Sequence, residues 1–198
     1  MIRALDLILS VLGIVLLTPV LIVISILIKL SSNGPLLYKQ QRVGVLNLDF
    51  KVFKFRTMKI NSDKTGLITV GRRDPRITSI GYYLRKYKLD ELPQLVNVFL
   101  GEMSLVGPRP EVRKYVDSYN QEQQKVLSIK PGITDWASIY YRDENIILGK
   151  SSDPEKDYIE KVMPDKLNYN LIYIEKYGVI EYFKILFITI WRIMFPVK

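Results

Sequence analysis

Leu7 to Ile28 reads LILSVLGIVLLTPVLIVISILI, 22 residues without a charge. A straight helix of that length reaches about 33 Å, enough to cross a hydrocarbon core of roughly 30 Å. The run is too long for the apolar part of a cleaved signal peptide, and no small-residue cleavage site follows it. A helix apolar all round and this long also sits poorly inside so small a domain. The stretch therefore reads as a membrane element (residues 1–30), and whatever follows must be built beside a bilayer.

Pro19, preceded by Thr18, lies near its middle. Proline removes one backbone donor and clashes with the carbonyl four residues back, that of Val15. The Thr18 hydroxyl is a candidate partner for a freed carbonyl inside lipid. A kinked span and a re-entrant hairpin both satisfy this local chemistry. Lys29, Lys39 and Arg42 follow the segment, against Arg3 and the amino terminus before it, so the next domain is expected on the cytoplasmic side in either case.

The chain has 198 residues, a formal charge of +9, no cysteine and no histidine. Disulfides, thiolate metal sites and every Ser-His or Cys-His nucleophile are excluded. Chemistry must come from carboxylates, Lys, Arg, Tyr or a hard cation held by oxygen. The positive charge calls for an anionic partner: a polynucleotide, acidic lipid or a phosphorylated substrate.

Ser31 to Pro35 is a break, and Asp49 to Met58 alternates as a strand, with Phe53 and Phe55 on one face and Lys54 and Arg56 on the other. Lys59 to Gly71 reads as a mobile loop. Arg72, Arg73, Arg76, Arg85, Lys86 and Lys88 then crowd together, with a helix expected from Ile80 to Lys88. No nucleic-acid fold signature accompanies them, so a membrane-proximal face or a phosphate clamp is the better reading, with no nucleic-acid partner. In LDELPQLVNVFLGEMSLVGPRPE, Pro93 suits a first helical turn, which puts Asp90 and Glu91 at or just before a helix start. Capping carboxylates and catalytic carboxylates both fit that position. Gly107-Pro108-Arg109-Pro110 is a rigid turn presenting an arginine, and Pro131 to Trp136 is another turn. Asp143 to Asp165 reads as a long polar stretch. Tyr177 to Lys198 carries a wide apolar face, Glu181, Lys184 and Arg192 on one stripe, and Trp191 near its end. That pattern suits an interfacial helix, with packing on the domain as the alternative.

Taken in order, Thr18-Pro19, Lys54-Phe55-Arg56-Thr57-Met58, Asp74-Pro75-Arg76-Ile77-Thr78, Leu89-Asp90-Glu91-Leu92-Pro93-Gln94-Leu95, Gly107-Pro108-Arg109-Pro110 and Pro131-Gly132-Ile133-Thr134 resemble the bacterial sugar transferase family, the monotopic phosphoglycosyl transferases. The resemblance implies an α+β chain: a re-entrant membrane helix (1–30) hinged at Thr18-Pro19, a small mixed helix/strand cytoplasmic catalytic domain (31–176) and a C-terminal amphipathic interfacial helix (177–198). It implies an enzyme of the inner membrane's cytoplasmic face that moves a sugar phosphate from a UDP-sugar to undecaprenyl phosphate through a covalent intermediate on Asp90, releasing UMP. Magnesium is the implied cofactor, at Asp90 and Glu91. Lys54, Arg56, Arg85 and Arg109 match basic positions that would take the phosphates, and later glycosyltransferases of surface-glycan assembly would be further partners. A catalytically silent membrane-anchored scaffold of the same fold is the alternative. After the Gly-Ile-Thr turn the chain departs from the commonest pattern, with Asp135-Trp136-Ala137 where Gly-Trp is usual. That departure bears on the choice of sugar rather than on the type of reaction.

Overall fold

The computed structural model describes residues 1–62, 69, 71 and 74–195. Arg72, Arg73 and most of the loop expected at Lys59–Gly71 lie outside the described residues, as does the end of the C-terminal segment. The architecture is mixed helix and strand, and the long apolar run forms helix α1, Ile2–Ser31.

α1 continues through Pro19 as one helix, with no separate turn at Thr18-Pro19. The Thr18 hydroxyl donates to the Ile14 carbonyl at 2.7 Å, one residue before the carbonyl that the proline displaces. Loss of a single amide donor is tolerable when the turns on either side keep their own bonds. Both ends of α1 dock on the rest of the chain. At its start Arg3 donates to the carbonyls of Val98 (2.5 Å) and Phe99 (2.8 Å), the last turn of helix α3, Gln94–Leu100. The Val98 carbonyl also accepts from the Gly101 amide at 3.0 Å, and the cation complements the negative end of the helix. Near its other end Ile24 and Ile28 are buried with Phe55 and Leu84. One flank of the helix, which includes Val11, Leu12, Val15, Leu16, Val20, Val23 and Leu27, is exposed.

Strands β1, Leu37–Val43, and β2, Asp49–Phe55, form an antiparallel hairpin running from Leu37 opposite Phe55 to Val43 opposite Asp49. The strand stops at Phe55, three residues short of the expected end, because the partner strand ends there; Met58 instead bridges Ile77. Asn97 of α3 ties the outer edge of β2, accepting from the Phe53 amide (2.9 Å) and donating to the Lys51 carbonyl (2.8 Å). Helix α2, Ser79–Lys86, occupies most of the helical stretch expected there, and Thr78 caps it through the Gly81 amide.

A second, parallel pair joins β3, Ser104–Val106, to β4, Gly132–Thr134. The two backbones touch at Gly107 and Gly132, where a Cβ on Gly132 would lie 2.1 Å from the Gly107 nitrogen. Only glycine permits that approach.

After the short helix α4, Arg113–Val116, and α5, Trp136–Tyr140, the stretch expected to be long and polar is largely helical. It holds α6, Glu144–Leu148, α7, Pro154–Asp157, and a π turn, Tyr158–Val162, that runs into α8, Met163–Glu175. Leu148, Tyr158, Val162 and Met163 of this stretch are buried in the core. The last helix, α9, Val179–Met194, combines both readings of its sequence. Tyr182 and Ile185 are fully buried, whereas Phe183, Phe187, Ile190 and Trp191 are exposed. Part of the charged stripe faces the domain, since Glu181 accepts from the Trp136 indole at 2.7 Å.

Asp6, next to the apolar run, joins three elements. Its buried carboxylate accepts from the Ser104 hydroxyl (3.0 Å), the Leu105 amide (2.9 Å) and the Tyr182 hydroxyl (2.9 Å), linking α1 to β3 and α9.

Candidate active site

α2 stops because Lys88 turns left-handed (φ 57°), and a single 3-10 turn, Leu89–Glu91, follows. Pro93 then caps α3 with no side-chain hydrogen bond. The carboxylate pair therefore stands on its own turn, not on the first turn of α3, and neither member caps that helix. This turn borders a cavity of about 860 Å³. Lys54 reaches it from β2, Arg85 from α2, Arg109 from the 107–110 turn, and Tyr158 and Lys166 from the C-terminal helices.

Glu91 is fully engaged. One oxygen accepts from Lys54 Nζ at 3.2 Å and from Arg109 Nη2, and the other accepts from Arg109 Nη1 at 3.2 Å. Burial alone would raise this carboxyl, but Arg109 and Lys54 outweigh it and hold it well below the usual range. Asp90 is the opposite case. It is 8% exposed, and its Oδ1 is buried with no hydrogen-bond partner among the described residues. Burial, and then the charge on Glu91, push its carboxyl above the usual range. Burial brings the Lys54 ammonium down to about 8, while Glu91 raises the Arg109 guanidinium.

The turn that carries Arg109 is as rigid as its prolines imply. The Arg109 amide donates to Asp135 Oδ2 at 3.2 Å, and the Gly132 amide donates to the Pro108 carbonyl at 2.9 Å. Asp135, where the chain leaves the usual pattern, thus holds the Arg109 backbone and also caps α5 through the Ser138 amide.

Of the expected phosphate ligands, Lys54, Arg85 and Arg109 converge on the carboxylates, and Arg85 Nη2 also donates to the Thr69 hydroxyl at 2.9 Å. Arg56 differs. Its Nη atoms donate to Ser32 O (2.7 Å), Ser32 Oγ (3.0 Å) and Asn33 O, so it fastens the exit of α1 rather than standing free for a phosphate. Sequence reasoning missed a second group on the wall. Glu111 pairs with Arg42 at 2.8 Å and accepts from the Tyr158 hydroxyl, while Glu144 pairs with Lys166 at 2.6 Å. Glu111 directly follows the Gly-Pro-Arg-Pro turn, which was the one available signal; Glu144 and Tyr158 come from the stretch read only as polar, and Lys166 from just beyond it.

No cluster of three acidic side chains suited to a metal occurs among the described residues. A magnesium ion nonetheless fits the donors present, because Mg²⁺ is commonly held by one or two carboxylates plus substrate phosphates. Asp90 is the carboxylate available to such an ion, since both oxygens of Glu91 are engaged.

Residues 1–196 match the family model described as bacterial sugar transferase. The chain is 38% identical over 193 residues to the UDP-glucose:undecaprenyl-phosphate glucose-1-phosphate transferase of Escherichia coli strain K12, covering 96% of this chain and 39% of that protein. It is 35% identical over 195 residues to the UDP-N-acetylgalactosamine-undecaprenyl-phosphate N-acetylgalactosaminephosphotransferase of Aeromonas hydrophila, covering 97% and 43%. Against the undecaprenyl-phosphate glucose phosphotransferase of Komagataeibacter xylinus it is 38% identical, covering 98% and 36%. The chain thus spans about two fifths of the length of these relatives. With the family model covering nearly every residue, the chain belongs to the bacterial sugar transferase family.

Proposed function

We propose that this chain is a phosphoglycosyl transferase that moves a sugar 1-phosphate from a UDP-sugar to undecaprenyl phosphate, with Asp90 as the nucleophile. The observation that carries the reading is the buried, unpartnered oxygen of Asp90 beside a cavity lined by Lys54, Arg85 and Arg109. A carboxylate needs no base near pH 7, which accords with a chain that lacks histidine. In the first step Asp90 Oδ1 attacks the phosphorus that carries the sugar. The bond from that phosphorus to the bridging oxygen breaks, and UMP leaves with the oxygen. In the second step an oxygen of the lipid phosphate attacks the same phosphorus, and the bond to Oδ1 breaks. Glu91 acts by position, holding Lys54 and Arg109 where the phosphate charges gather. A magnesium ion, if held by Asp90, would supply further charge neutralisation.

In this reading α1 enters the inner membrane as one helix kinked at Thr18-Pro19, with both ends at the cytoplasmic face. Support comes from its docked ends: Arg3 and Asp6 at one end and Ile28 at the other contact the same domain, while one flank of the helix is exposed and apolar.

The test is UMP release from detergent-solubilised protein given magnesium, undecaprenyl phosphate and either UDP-glucose or UDP-N-acetylgalactosamine. Wild type should release UMP with a lipid-linked product. Asp90→Asn should lower the rate by a factor on the order of 10³ or more. Silence with every donor in a broad UDP-sugar panel would sink the transferase reading in favour of the scaffold.

A further inference from the structure

Lys54, Arg85 and Lys88 line the same cavity as Asp90. Lys54 is paired with Glu91, and Arg85 is bonded to Thr69. Lys88 lines the same cavity, is exposed to it, and makes no side-chain hydrogen bond or ion pair among the described residues. Lys88 immediately precedes the turn that carries the carboxylate pair, and its ammonium is bonded to neither carboxylate among the described residues.

The backbone beneath it is also unusual. Lys88 lies at φ 57° and ψ 21°, just after the end of α2, and its amide donates to the Arg85 carbonyl at 3.2 Å. Chains normally place glycine or asparagine at such a left-handed helix exit, because a Cβ there crowds the following carbonyl. A lysine in that conformation carries strain, and its side chain makes no hydrogen bond or ion pair in return among the described residues. Strain of this kind gathers at functional positions.

Electrostatics indicate what the position is for. Lys54 and Arg109 are both paired with Glu91. A donor diphosphate entering this cavity adds negative charge that these shared cations neutralise only in part. An uncommitted ammonium on a flexible stem suits that task, as a point charge that can follow a phosphate from one step to the next.

We infer that Lys88 is a substrate-binding residue that takes the diphosphate of the nucleotide donor, accepting a strained left-handed backbone to do so. The inference rests on the transferase reading for the identity of the donor, but the anion site can be measured without turnover.

The experiment titrates UDP into the full-length protein by calorimetry and pairs each titration with a thermal melt. Lys88→Asn keeps a residue at ease with the left-handed turn and removes the charge, whereas Lys88→Arg keeps the charge. Asn should weaken UDP binding by about tenfold or more, with a Tm at or above that of wild type, and Arg should stay within about threefold. UDP affinity of Lys88→Asn within about twofold of wild type would overturn the proposal. So would weakened binding that tracks a lowered Tm, which would make Lys88 a structural residue, and so would a wild type that does not bind UDP at all. The UMP-release assay separates the two readings. Lys88-dependent UDP binding with no UMP release from any donor leaves the anion site standing and removes the transferase. UMP release with an unchanged KM for the UDP-sugar in Lys88→Asn does the reverse.

Discussion

At the scale of single residues, Asp90 and Glu91 are adjacent in sequence and differ in surroundings, and each difference can be measured. The Asp90 carboxyl is raised in the folded chain, so its ionised form opposes folding at neutral pH, and that cost is relieved as pH falls through the folded value. Asp90→Asn should therefore melt at or above the wild-type Tm while losing UMP release, a separation that a purely structural carboxylate would not give. Glu91 is depressed instead. Its contribution to stability is present above the unfolded value, about 4.3, and is lost as pH falls through the folded one. Glu91→Gln should thus destabilise the protein at pH 7 and narrow its stability gap to wild type in acid, as followed by fluorescence melts across pH. Lys54, held to about 8, sets an alkaline limb. In the free enzyme kcat/KM should fall as pH rises past that value, and Lys54→Arg should move the limb upward whatever it does to the absolute rate.

At the scale of elements, the site is a set of turns fastened by longer pieces. The Arg109 turn is held by the β3–β4 pair and by Asp135, and the carboxylate turn hangs between α2 and α3. Asp6 does comparable work for α1, joining it to β3 and α9 through three hydrogen bonds in the interior. Removing that acceptor leaves buried donors unsatisfied, so Asp6→Ala should cost about 2 kcal/mol or more and lower Tm by roughly 4–8 °C in detergent. Tyr182→Phe removes one donor and should cost about 1 kcal/mol, with the two changes less than additive in combination.

At the scale of the molecule, the apolar flank of α1 and the outer face of α9 with Phe187 and Trp191 leave much apolar surface exposed. Surface of that extent on a small domain marks a membrane contact. If α1 enters and leaves on the same side, single cysteines introduced at residue 2 and at residue 60 should react with an impermeant thiol reagent from the same side of sealed vesicles. Labelling from opposite sides would make α1 a span and dismiss the hairpin. The background is clean because the chain has no cysteine of its own.

Much of this was legible in the sequence because it is local chemistry. An uncharged run of 22 residues is a helix that wants lipid, alternation at Asp49–Phe55 is a strand, and two prolines around Arg109 make a stiff turn whatever surrounds them. The absence of histidine and cysteine narrowed the chemistry to carboxylates and cations before any fold was known. The tertiary structure alone decided how those groups are shared out. Glu91 meets Lys54 from 37 residues away and Arg109 from 18, Arg56 turns to the exit of α1, and the stretch after Asp143 brings Tyr158 and Lys166 to the cavity. No spacing rule reports such pairings, because a charge is committed or left free by whichever partner the fold brings within about 3 Å. The pair that sequence could only present as two neighbouring acids thus became one anchored carboxylate, Glu91, and one left open, Asp90.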